Sequence, residues 1–144
     1  MNSILLIFVN SIFWIIVHFF YGYLSHFISE KFYKTNNFIF KTRKFEKNLI
    51  LYRKILLIRL WKDKLPECGE LLRIHPFSKR AIRSRQKEYL ERFLLEINRA
   101  ELSHLLPIII FPISILWNPP IGVIINGLYA IISNLPFIII QRYN

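Results

Sequence analysis

The sequence predicts an all-α integral membrane protein. It reads as an N-terminal span, then amphipathic and interfacial helices in a basic cytoplasmic loop, then a C-terminal two-helix membrane hairpin. Two observations on charge predict this. Residues 1–29 contain no Asp, Glu, Lys or Arg, and residues 105–140 contain none of these and no His either. Between them lie all nine acidic residues and nineteen of the twenty basic ones, Arg142 being the exception. Lys and Arg are retained on the cytoplasmic side of a bilayer, so residues 25–104 are expected there. The whole chain, 1–144, reads as a single membrane domain.

The first span is expected over 3–24, close to the roughly 20 residues that cross a bilayer core as a helix. No basic residue precedes it and no small-residue cleavage site follows, so it reads as an uncleaved anchor. The last block is too long for one span. Two prolines in WNPP (117–120) break it, because each removes a backbone donor and obstructs a continuing helix. Residues 121–140 form a full span. Residues 105–117 form a short span, if the preceding helix extends it, or a re-entrant arm.

Within the loop, 45–62 (FEKNLILYRKILLIRLWK) has the length of a helix and is apolar nearly all round. Such a helix is buried, or lies in the interface with its cations snorkelling. Lys47 and Lys54 share one side. Pro66 and Gly69 then mark a loop, as does His75-Pro76. A second helix is expected over 79–104, with Ser78 as its N-cap. Its apolar stripe is Ile82, Tyr89, Phe93, Ile97 and Ala100; Glu88 and Arg92 form an i,i+4 pair, and Arg85, Arg92 and Arg99 share the charged outer face.

This helix carries Glu101 and His104, one turn apart, to the edge of the apolar block. Ionisable groups at a membrane are functional suspects by default. A histidine beside a carboxylate makes a general base and its orienter; the same pair also suits a helix end at headgroup level. In the first span Asn10, Trp14 and His18 share a face, and polar side chains there glue helices together. In the last, Gly122, Asn126, Ala130 and Asn134 recur every four residues as a packing face, with Asn134 a possible substrate contact. Pro136 is expected to kink the end of that span, bringing Gln141, Arg142 and Tyr143 to the surface.

The absences narrow the chemistry. There is no G-x-S-x-G elbow, no phosphate-binding glycine loop and no Cys/His metal cluster, so no metal site is expected. A covalent serine hydrolase and a nucleotide-hydrolysing enzyme are disfavoured. The basic excess follows from topology and anionic lipid, and no nucleic-acid partner is expected. The single Cys68 excludes an internal disulfide and reads as a reduced loop residue.

RAELSH (99–104) and SNLPFIIIQRYN (133–144) resemble the glycosyl-4,4'-diaponeurosporenoate acyltransferase family. The matching residues are Arg99, Ala100, Glu101, Leu102 and His104, then Asn134, Pro136, Ile138, Gln141, Arg142, Tyr143 and Asn144. Weaker similarity lies in Phe45-Glu46 and in Arg59, Trp61, Lys62 and Asp63, so the resemblance covers most of the chain from about residue 45. The sequence departs from the family pattern at Leu105, where a tryptophan is usual, and in ending at QRYN without a basic tail. The resemblance implies a cell-membrane O-acyltransferase that closes a staphyloxanthin-type pathway. It would esterify a sugar hydroxyl of a glycosylated thirty-carbon carotenoid acid with a fatty acyl group.

Residue chemistry, rather than the family, assigns the roles. His104 takes the hydroxyl proton and Glu101 orients His104. Asn98 or Asn134 donates to the oxyanion. Arg59, Lys62, Arg99 and Arg142 hold the phosphates of an acyl-CoA donor, and Gln141 joins the substrate-binding set. No bound cofactor is expected; the partners are the acyl donor, the carotenoid acceptor and membrane lipids. The competing reading is a non-enzymatic adaptor whose polybasic loop binds lipid or a protein.

Overall fold

The structure, a computed structural model, describes residues 2–34, 38–46, 49–65, 77, 79 and 81–144. The expectations at Lys47, Pro66, Cys68, Gly69, His75, Pro76 and Ser78 lie outside the described residues. The rest is helical. Among the described residues, four α-helices, α1 (Ser3–Phe27), α2 (Glu30–Lys34), α3 (Lys87–Ile110) and α4 (Pro120–Tyr143), are accompanied by shorter helical turns. Three stretches, Ser3–Phe27, Lys87–Leu116 and Pro120–Tyr143, are long and apolar enough to cross a membrane. The chain forms two compact units, one of 1–28 with 100–138 and one of 29–99 with 139–144.

In the first unit, α1 opens on Asn2, whose side chain accepts from the Leu5 amide at 2.8 Å and satisfies one of the free donors of the first turn. The helix runs three residues beyond the expected 3–24, to Phe27. Its buried side is narrow: Trp14 and Val17 meet Ala130 of α4, with Phe13, Tyr21, Ile110 and Phe111 packed around them. The other sides expose Ile4, Ile7, Ile15 and Phe19. An exposed apolar surface on so long a helix is what lipid, rather than water, accommodates.

The C-terminal hairpin begins as the continuation of α3. Helix passes through Pro107 to Ile110 and tightens into a 3-10 turn at Phe111–Leu116. Residues 105–117 are therefore the end of a longer helical stretch rather than a separate short one. Trp117 and Asn118 turn the chain, and α4 starts at Pro120, where a missing N–H costs nothing. The four-residue stripe of α4 is its buried side, with Gly122, Asn126, Ala130 and Asn134 all buried. Gly127 belongs to the same packing: a Cβ there would sit 2.9 Å from the Phe111 ring.

The second unit corrects the loop helices. Residues 45–62 are not one helix but a 3-10 turn at Lys44–Glu46, a π turn at Leu51–Ile55 and 3-10 turns at Ile58–Leu60 and Lys62–Lys64. Leu49 and Leu57 take left-handed backbone angles, φ 56° and 47°, which side chains other than glycine resist. Side chains hold the breaks in place: the Trp61 indole donates to the Leu56 carbonyl at 2.9 Å, and the Tyr52 hydroxyl to Glu46 at 2.7 Å.

The helix expected over 79–104 starts only at Lys87. Arg83, Arg85 and Lys87 would otherwise crowd the positive end of the helix dipole. Tyr89 and Ser84 accept from the Arg83 and Gln86 amides instead. The stripe holds at Phe93 and Ile97, both buried, whereas Ile82 lies outside the helix and is exposed. Arg99 is not on an outer face: it is 6 % exposed. Arg92 pairs with Glu96 rather than Glu88.

Candidate active site

The edge of the apolar block is built around His104. Its Nδ1 lies 3.1 Å from the Asn134 amide oxygen, and its ring stacks flat on Phe137, with centroids 4.6 Å apart and planes 8° from parallel. Asn134 is fully buried. Its Nδ2 donates to the Ala130 carbonyl and to Ser133 Oγ, each at 3.0 Å. With its two hydrogens committed, the amide presents only its oxygen to the histidine. With that acceptor, neutral His104 carries its proton on Nδ1 and its lone pair on Nε2. Asn134 thus meets His104 through its oxygen while its amide hydrogens bond within α4. Glu101, expected in the orienting position, is buried one turn earlier on α3.

The second unit holds the other sequence-selected residues, in two ionic clusters. In one, Glu96 Oε1 accepts from Arg99 Nη1 at 2.9 Å and Arg92 Nη2 at 2.7 Å. Arg92 also lies 3.7 Å from Glu30. The Arg99 guanidinium covers the Tyr33 ring at 5.6 Å, and Asn98 Nδ2 donates to the Tyr33 carbonyl at 2.9 Å. Asn98 thus ties α2 to α3. Tyr33 is fully buried; burial pushes its phenol up, against the pull of Arg99. The carboxyl of Glu30, on the surface, is held below its usual range by the hydrogen bond and charge of Lys34, with Arg92 adding to them.

The other cluster gathers on the QRYN end. Arg142 donates to the carbonyls of Ile39 and Lys41 and lies 3.5 Å from Glu46. Glu46 in turn takes the Tyr52 hydroxyl and the Arg43 amide. Arg59 Nε donates to the Tyr143 hydroxyl at 3.3 Å, and Lys62 Nζ to Asn144 Oδ1 at 3.3 Å, 5.5 Å from the Tyr143 ring centre. Asn144 also donates to the Lys79 carbonyl at 2.8 Å. Gln141 is buried, and its Oε1 meets no donor among the described residues. The structure thus brings Arg59, Lys62 and Arg142 to one C-terminal motif, Asn98 and Arg99 to another cluster, and His104 to Asn134.

Sequence reasoning passed over Tyr33, Glu96 and Tyr52. Glu96 had a legible signal, with arginines four residues before and three after it on one helix face. Tyr33 had none, since its partner Asn98 is 65 residues away, and Tyr52 had none, since a six-residue spacing to Glu46 matches no helical or strand period. Among the described residues no group of three or more His, Cys, Asp or Glu is placed to hold a metal ion.

A sequence model of the glycosyl-4,4'-diaponeurosporenoate acyltransferase family matches residues 29–144. The chain belongs to that family. The match starts ahead of Phe45-Glu46 and takes in both ionic clusters and the His104 site. Glycosyl-4,4'-diaponeurosporenoate acyltransferases from three strains of Staphylococcus aureus are each 34% identical over 137 residues, which is 93% of this chain and 80% of theirs. No solved structure matches. Family membership identifies an acyl-transfer enzyme rather than a membrane adaptor.

Proposed function

We propose that this enzyme esterifies a sugar hydroxyl of a glycosylated thirty-carbon carotenoid acid with a fatty acyl group taken from acyl-CoA, as the last step of a staphyloxanthin-like pathway. The hydrogen bond from His104 Nδ1 to Asn134 carries the mechanistic part, because it leaves Nε2 as the basic atom. Nε2 takes the proton of the sugar hydroxyl as its oxygen attacks the thioester carbonyl. The tetrahedral adduct collapses, the C–S bond breaks, and the Nε2 proton passes to the departing thiolate. The products are an ester and free CoA. Phe137 keeps water from one face of the imidazole, and Glu101 steadies the imidazolium through its charge. Both substrates are amphiphiles, so membrane helices with a histidine at their apolar edge provide a suitable place for the reaction. The enzyme sits in the cell membrane with residues 25–104 on the cytoplasmic side, where acyl-CoA is available.

Purified enzyme should release free thiol from long-chain acyl-CoA only when the glycosylated carotenoid acid is present. Release without acceptor, or none with it, would reject the reading. His104→Ala should lower turnover on the order of 10²-fold or more. Asn134→Leu should also lower it, by freeing the tautomer, and Glu101→Gln should do so at normal protein abundance. Cys68 should react with an impermeant thiol reagent only after cells are lysed; reaction in intact cells would invert the topology.

A further inference from the structure

The four cations that the sequence offered for phosphate binding fall into two kinds. Arg99 and Arg142 are turned inward onto buried carboxylates, Glu96 and Glu46. Arg59 is exposed and spends Nε on a neutral phenol, the hydroxyl of Tyr143. Arg53, which sequence reasoning left aside, is exposed beside the same hydroxyl. Among the described residues no carboxylate lies within 4.0 Å of either guanidinium. Lys62 completes the ring of charge 5.5 Å from the Tyr143 centroid, with the exposed Asp63 at 4.0 Å.

Like charges repel, so cations converging on one neutral hydroxyl leave a strong local demand for an anion. An arginine fork matches a phosphate oxygen pair, and Arg59 has both Nη groups to offer. The same stretch presents Ile55, Leu57 and Leu60, which are 69 %, 50 % and 66 % exposed. Cations and exposed aliphatic side chains alternate there, as they do where a polar head and an acyl chain are met together.

We propose that Arg53, Arg59 and Lys62, gathered on Tyr143, form a seat for the phosphate of an amphiphile whose acyl chain lies along Ile55, Leu57 and Leu60. This deepens the acyl-transfer reading, on which the identity of the ligand as donor rests; the phosphate chemistry itself is common to acyl-CoA and to an anionic lipid headgroup. Arg99 and Arg142 are then framework, not ligand contacts.

Binding is measured on the full-length protein without acceptor, so that its failure is separate from failure of transfer. Palmitoyl-CoA is titrated into protein in a neutral detergent, and protein in phosphatidylcholine nanodiscs is compared with protein in discs containing phosphatidylglycerol. Arg53→Gln/Arg59→Gln should weaken binding of whichever phosphate ligand the wild type takes by about tenfold or more, since each lost bond is to a charged group. Arg53→Lys/Arg59→Lys should recover part of it. Wild-type binding of palmitoyl-CoA identifies a donor seat; a response to phosphatidylglycerol alone identifies a headgroup anchor. Folding is checked by size exclusion, and the lysine pair keeps the test valid if the glutamine pair misfolds. Unchanged binding in folded glutamine variants, or no phosphate ligand bound by the wild type, would overturn the proposal. A wild type that binds palmitoyl-CoA and transfers nothing would leave the seat standing and remove the transferase reading.

Discussion

The two units hold their buried polar groups together by different means. In the first they are neutral apart from Glu101. Asn10 and Asn118 exchange amide hydrogen bonds at 2.9 Å each way, and Asn10 Oδ1 also takes the Trp117 indole at 2.9 Å and Asn126 Nδ2 at 3.3 Å. Trp14 Nε1 donates to Asn126 at 2.6 Å. In the second they are ionic: Glu96 between Arg92 and Arg99, Glu46 against Arg142. The difference follows from solvent. A charge in hydrocarbon is costly even when paired, whereas an amide needs only its hydrogen bonds. His104, the histidine on α3, follows the first pattern through its hydrogen bond with Asn134.

Five substitutions test the contrast. Glu96→Ala strands a guanidinium that is almost wholly buried and should cost about 3 kcal/mol or more, read as earlier unfolding in SDS titrations of the micellar protein. A cost near zero would mean the pair is as dispensable as a surface bridge. Ala130→Leu places extra methyl groups where no space remains and should cost about 1–3 kcal/mol. Ile131→Leu, at an exposed position, should be close to neutral; equal tolerance of both would remove the packing face. Asn10→Leu deprives three donors of one oxygen and should cost about 1 kcal/mol; a loss as large as that of Glu96→Ala would erase the distinction between the units. The smallest effect is expected from Glu30→Gln. The folded-state pKa of Glu30 is depressed, so its stabilisation is present above the ordinary carboxylate range and fades as pH falls through the depressed value. The variant should lose that acid-side slope and change little at neutral pH.

What was legible in the sequence depended on distance along the chain. The Gly122, Asn126, Ala130 and Asn134 face, the Phe93 and Ile97 stripe and the helix start at Pro120 are periodic or local, and each stands in the structure. The single helix expected over 45–62 did not form: Leu49 and Leu57 turn left-handed within it, and Arg59 bonds Tyr143, 84 residues further on, which no local pattern names. The Glu101–His104 spacing singled out a histidine at the edge of the apolar block. Its hydrogen-bond acceptor Asn134 lies thirty residues away on another helix, beyond the reach of i,i+3 reasoning.

By itself the sequence determined which segments are apolar enough to cross a membrane, since the placement of charge decides which segments tolerate hydrocarbon. It also determined which residue types were present to do chemistry. Only the tertiary structure decided which of those residues are spent. Arg99 and Arg142 read like Arg59 in the sequence, and in the fold they are held against the buried Glu96 and Glu46. Asn134 could equally have donated to substrate, until Ala130 and Ser133 took its hydrogens. Hydrogen-bond capacity is finite, and the contacts a side chain makes across the fold determine how much of it remains for a ligand.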